Sequence, residues 1–173
     1  LEAFTEIKEM SPGSIIVACE LSNSDEIRKM FETIKSEFTS LDVLVNNAAA
    51  QNSCPFLQLS EDEWDYVLSV NLKAPFLCGQ LASQMMVNQG GGKIINVGSV
   101  HEYQTKRNYT HYSTSKGGLV MLTKNMALEL AEHNIQVNQV APGAIATKLT
   151  DASRQQKFLT AVPAKRVGKT DEI

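Results

Sequence analysis

Cysteine is scarce in this chain, and the three present, Cys19, Cys54 and Cys78, are unevenly spaced, with no C-x-x-C pair and no histidine at ligand spacing. That pattern argues against a disulfide framework and against a zinc site, and no metal is expected. A reducing compartment is the simplest home. Runs of basic residues are also missing: 16 Lys and Arg are scattered among 19 Asp and Glu, for a formal net charge of −3. Neither a nucleic-acid surface nor binding to an anionic membrane is expected from such a distribution. No apolar run is long enough to cross a bilayer, and the opening "LEAFTEIKEM" lacks the basic patch and apolar core of a secretory signal. A cytoplasmic location is therefore expected. Repeats, low-complexity tracts and Pro/Gly/Ser-rich linkers are absent too, so residues 1–173 read as one domain.

What is present is an alternation. Four short β-branched runs recur, "SIIVA" at 14–18, "LDVLV" at 41–45, "KIINV" at 93–97 and "IQVNQV" at 135–140, each the length of a strand buried on both faces. Between the first two, Ile27, Met30, Phe31, Ile34 and Phe38 form one helical stripe, with Ser22 and Asp25 as a candidate capping box. A longer helical region runs from Glu61 to about Gln89 and is closed by "GGG" at 90–92. Another runs from Ser115 to about Glu132, with Leu119, Leu122, Met126 and Leu130 in register. Strands alternating with helices predict right-handed βαβ units around a parallel sheet. The opening residues resemble the end of a helix and the closing "TDEI" the start of one.

Within "HYSTSKGG" at 111–118, Tyr112 and Lys116 are four residues apart and share one face of a helix. A phenol ordinarily titrates near ~10 and is a poor base at neutral pH. An ammonium beside a phenol favours the phenolate and lets the oxygen take or give a proton. The spacing alone is common on solvated helices; the company it keeps is more specific. Ser99 follows the strand "KIINV", Asn71 lies in "SVNLKAPF", and two strands end in small residues, "NNAA" at 46–49 and "APGAIAT" at 141–147.

These motifs, in this order, resemble those of the short-chain dehydrogenase/reductase family along essentially the whole chain. The resemblance implies an α/β, Rossmann-type doubly wound parallel sheet with helices on both faces, NAD or NADP as cofactor, and a catalytic set of Asn71, Ser99, Tyr112 and Lys116. It implies that Tyr112 exchanges the substrate proton, Ser99 holds the substrate oxygen, Lys116 supports Tyr112 and bonds the nicotinamide ribose, and Asn71 positions a relay water. Cofactor contacts carried over are Glu20, Leu21, Asn47, Ala48, Ala49, Tyr112, Lys116, Pro142, Gly143, Ile145 and Thr147. Thr147 also reads as a helix N-cap, and Glu20, where the family usually has aspartate, reads equally as a solvated side chain. The family commonly forms homotetramers through its two long helices.

One family feature is missing: a glycine-rich turn after a strand, where backbone N–H groups meet the pyrophosphate. "GGGK" at 90–93 precedes a strand instead. The first βαβ unit is therefore expected upstream of Leu1, and the choice between NAD and NADP with it. For the substrate, "SVHE" at 99–102 resembles the glucose 1-dehydrogenase branch. His101, Glu102 and Gln51, with Ser99, are the candidate readers of a small sugar or polyol. The alternatives are a 3-oxoacyl-thioester reductase, for which Lys106 and Arg107 hint at a basic patch, and a non-catalytic dinucleotide sensor.

Overall fold

The computed structural model describes residues 2–147 and 162–173. After helix α1 (Glu2–Met10) come α2 (Ser24–Glu37), β1 (Val43–Asn46), α3 (Glu61–Leu68), α4 (Ala74–Gln89), β2 (Gly92–Val97), α5 (Thr110–Leu130) and β3 (Ile135–Val140). The strands form one parallel sheet in the order β1-β2-β3. Parallel neighbours need crossovers, and the amphipathic helices supply them.

The register lines up inward-facing residues in rows. Leu44, Ile94 and Val137 are paired across the sheet, and one step further toward the strands' carboxyl ends stand Asn46, Asn96 and Gln139. The first row joins the core made with Ile27 and Phe31 of α2 and Leu77, Cys78, Ala82 and Met86 of α4. The second row is polar and leads toward the site. Outward-facing Val43 and Val45 are half exposed, so among the described residues the helices cover one face of β1. Burial of this strand on both faces is not what the structure has.

Residues 14–18, read above as a strand, are not one, and Ile16 is 63% exposed. A strand persists only with a ladder partner on at least one side, and none of the three described strands lies beside this segment. The cap of α2 is also shifted by one residue: Asn23, in extended backbone, accepts from the Asp25 and Glu26 N–H groups. It replaces the expected Ser22–Asp25 box. Phe38 is the C-terminal cap rather than a buried member of the stripe.

The region 61–89 divides into α3, one π turn at Ser69–Lys73, and α4. A π turn widens the helix by one residue and marks functional positions more often than plain helix does; Asn71 lies inside it. Gly90 ends α4 at φ +93°, a left-handed backbone that glycine adopts without strain. The closing "TDEI" forms a single 3-10 turn at Thr170–Glu172.

Candidate active site

All three strands end at the same edge, and the loops that leave it carry the candidate residues. Helix α5 begins at Thr110, five residues before the expected start, and this puts both Tyr112 and Lys116 on regular helix with their side chains one turn apart. Both are buried. The Lys116 Nζ lies 5.9 Å from the centre of the Tyr112 ring and donates to the Val97 carbonyl at 2.7 Å. Burial pulls Lys116 down to about 8, partly offset by the Glu102 carboxylate. His101 and Tyr109 stand edge-on to the Tyr112 ring, each 6.3 Å away between centres.

Asn71 is fully buried, and both ends of its side-chain amide are engaged. Its Oδ1 accepts from the Ala50 N–H at 2.7 Å, while its Nδ2 donates to the Ala50 carbonyl at 2.9 Å and to Ser115 Oγ at 3.0 Å. Ser115 Oγ in turn donates to the Tyr112 carbonyl at 2.7 Å. The π turn thus clamps the loop after β1 to the first turn of α5. With both amide protons used, a water at the Asn71 side chain could bind only as a donor to the second lone pair of Oδ1.

Ser99 stands at the exit of β2 and caps a 3-10 turn, Val100–Glu102, with its Oγ accepting from the His101 N–H at 3.2 Å. That bond uses a lone pair and leaves the hydroxyl proton available to a ligand. His101 is set by its Nδ1, 3.0 Å from the Gln104 carbonyl; since a carbonyl only accepts, Nδ1 carries the proton there. Glu102 does not face outward beside it. Its Oε2 accepts from the Ser99 N–H at 3.2 Å and from Gln139 Nε2, so this oxygen is turned toward the protein rather than toward a sugar hydroxyl.

The other expected positions fall as follows. Asn47, Ala48, Ala49 and Gln51 form an exposed lip past β1. Pro142 accepts from the Val100 N–H at 3.1 Å, tying the loops after β2 and β3 together, with Gly143 beside it. Ile145 pairs with Gly168 in an isolated bridge, and Thr147 closes this described stretch. Leu21 packs against the core. Glu20 turns back on its own loop, accepting from the Ser22 N–H at 3.0 Å and the Ser22 hydroxyl at 2.9 Å, which lowers its pKa. The exposed carboxylate is thus held by its own loop.

Sequence reading missed His111. It is fully buried and donates from Nε2 to Asn52 Oδ1 at 2.6 Å, and Asn52 donates to Glu63 at 2.7 Å, which joins α5, the loop after β1 and α3. Burial lowers its pKa against the opposing pull of Glu63. The only hint in the sequence was its adjacency to Tyr112.

A parallel α/β sheet with a polar site built from loops at its carboxyl edge defines a protein of the Rossmann class. The chain belongs to the short-chain dehydrogenase family, whose model matches residues 1–157. It is similar to the uncharacterized oxidoreductase YohF of Escherichia coli K12, 43% identical over 91% of this chain and 64% of that protein. It is also similar to the 3-oxoacyl-(acyl-carrier-protein) reductase FabG of Staphylococcus aureus Mu50, 38% identical over 97% of this chain and 70% of that protein. Among solved structures, acetoin dehydrogenase from Enterobacter cloacae superposes with a TM-score of 0.82 at 44% identity, covering 91% of this chain and 63% of that one. A gluconate 5-dehydrogenase from Burkholderia cenocepacia, solved with NADP and tartrate, gives 0.82 at 32%, covering 88% and 62%. The chain therefore spans 62–70% of the length of these relatives.

Proposed function

We propose that the protein interconverts an alcohol and a carbonyl by hydride transfer with NAD or NADP, on a small polyol or hydroxyketone. The observation that carries the reading is Lys116: a buried ammonium beside the Tyr112 ring, with one carbonyl acceptor among the described residues for its three N–H donors. Such a group is costly unless a ligand supplies further acceptors, and ribose hydroxyls are suited to do so. The open lip of Asn47, Ala48 and Ala49 and the Pro142–Gly143 turn let a flat ligand approach backbone closely. The residues present thus fit the nicotinamide end of a dinucleotide. No glycine turn for the pyrophosphate occurs among the 173 residues.

When bound, the nicotinamide supplies the two-electron acceptor or donor. The chain's own residues move and hold the proton. In oxidation, Tyr112 Oη takes the substrate hydroxyl proton and returns it in reduction, while the Lys116 ammonium supports negative charge on the ring oxygen. The Ser99 hydroxyl donates to the substrate oxygen and fixes its position. Asn71 acts through structure, holding Ala50 and Ser115 so that the lip and the Tyr112 turn keep their separation. His101 and Gln51 are the groups placed to read neighbouring hydroxyls.

The preference for a small oxygenated substrate rests on His101, and on relatives named for acetoin and gluconate. The FabG relative favours the second reading, a 3-oxoacyl-thioester reductase. Assaying the full-length protein with both dinucleotides against acetoin, gluconate, sugars and an acetoacetyl thioester separates the two. Tyr112→Phe should cut turnover by about 10²–10⁴-fold with dinucleotide affinity kept; near-normal turnover would show that the base is misassigned. We also propose a homo-oligomer joined through α4 and α5, where Phe76, Met121 and Leu128 stand exposed. Light scattering should give a tetramer mass, and a monomer would refute it.

A further inference from the structure

Gly98 precedes Ser99, and its φ is not among the positive values found at Gly90 and Gly91. Backbone freedom is therefore not the reason for glycine here. A Cβ built at this position would collide with Glu102 Oε2 and Gln139 Nε2. The space of the missing side chain is filled by the hydrogen bond between those two groups.

That bond ends a polar chain running across the sheet. Asn46 Nδ2 donates to Asn96 Oδ1 at 2.9 Å, and Asn96 Nδ2 donates to Thr123 Oγ1 at 2.8 Å. The Thr123 hydroxyl reaches Gln139 Oε1 at 2.8 Å and the Leu119 carbonyl at 2.7 Å. Because a carboxylate only accepts, the Gln139 amide turns Nε2 toward Glu102, which leaves Oε1 facing the Thr123 hydroxyl. The Glu102 carboxylate then receives two donors, Gln139 Nε2 and the Ser99 N–H. Asn96 and Thr123 are buried and Gln139 half-buried, so the orientation of the carboxylate is set from inside the protein and not by solvent.

We propose that Glu102 is a positioning residue for Ser99, held by Gln139 in the space that Gly98 leaves open. It fixes the backbone from which the Ser99 hydroxyl is presented, and the Ser99 cap on His101 fixes the side chain. The proposal deepens the hydride-transfer reading and rests on it for its kinetic consequence. The hydrogen-bond relation itself stands independently of any turnover.

The test is a mutant cycle in the full-length protein with Gly98→Ser, Glu102→Ala and the double variant, plus Glu102→Gln. Each of Gly98→Ser and Glu102→Ala should lower kcat roughly 10- to 100-fold, the range a misplaced reacting group costs, with dinucleotide Kd unchanged. The double variant should be no worse than Glu102→Ala, because with the carboxylate gone the Gln139 amide is no longer anchored and can turn away from the added hydroxymethyl group. Glu102→Gln keeps an oxygen for the Ser99 N–H and should retain most of kcat. Hydrogen exchange at the Ser99 amide, followed by NMR, should accelerate in Glu102→Ala and stay slow in Glu102→Gln. Losses that multiply in the double variant, or Ser99 exchange unaltered by Glu102→Ala, would overturn the proposal. Should Glu102→Ala not fold, retained kcat and slow exchange in Glu102→Gln uphold it, and fast exchange there overturns it. A wild-type protein silent on every substrate would refute the hydride-transfer reading, while the exchange data would still decide the role of Glu102.

Discussion

Lys116 shows how a site residue is held at a cost to the fold. Its pKa falls from the ordinary 10.5 to about 8 because burial disfavours the ammonium. Between those two values the unfolded chain keeps a proton that the folded chain has released, so stability rises with pH across about 8 to 10.5. Below pH 8 the full penalty is present. Lys116→Met should therefore stabilise the protein at about pH 7 by on the order of 2–3 kcal/mol, the lower figure allowing for the Val97 carbonyl losing its donor. The gain should vanish by about pH 10.5, and turnover should be lost. Urea unfolding of both proteins at about pH 7, 9 and 10.5 measures this; a flat difference would mean that the ammonium is not desolvated. The pairing of Tyr112 with Lys116 was legible because helical spacing is local. The direction of Glu102 was not, since it depends on Gln139, 37 positions away in sequence.

Elements were legible where their signal lay within one turn or one strand. The α2 stripe, the glycine stop after α4 and the strands β1 to β3 all follow from periodicity and turn chemistry. The run at 14–18 carries the same apolar signal as those strands and still forms no ladder, because pairing requires a neighbour that no local pattern specifies. Helix α5 starts at Thr110, ahead of Ser115, although "NYTHYSTS" is rich in poor helix formers. Contacts of Ser115 and His111 with neighbouring elements outweigh that propensity. The shifted cap of α2 gives a direct test. Asn23→Ala should cost about 1 kcal/mol by removing the acceptor for the first-turn N–H groups, and Ser22→Ala should cost clearly less, since its hydroxyl donates to the exposed Glu20 carboxylate. Thermal unfolding of the two variants ranks them, and the reverse order would restore Ser22 as the cap.

For the whole molecule, chain order revealed the α/β class, but not which side of the sheet the helices would cover. Core and site are adjacent layers of one face: the row Leu44–Ile94–Val137 packs under α4, and the row Asn46–Asn96–Gln139 beyond it carries the polar chain to the site. The three thiols report on this layering. Cys78 lies within the core on α4, and burial pushes its thiol up to about 11, with Cys19 adding to the shift. Cys19 and Cys54 are only half-buried. The thiolate is the reactive form, and the folded core must also open before a reagent reaches Cys78. At about pH 8 an aromatic disulfide reagent should therefore modify Cys19 and Cys54 in the native protein, while Cys78 reacts only as fast as the fold opens. In denaturant all three should react alike. Native-state labelling of Cys78 at the rate of Cys54 would mean that α4 does not shield it, and the layer on which the Asn96–Thr123–Gln139 chain rests would have to be placed elsewhere.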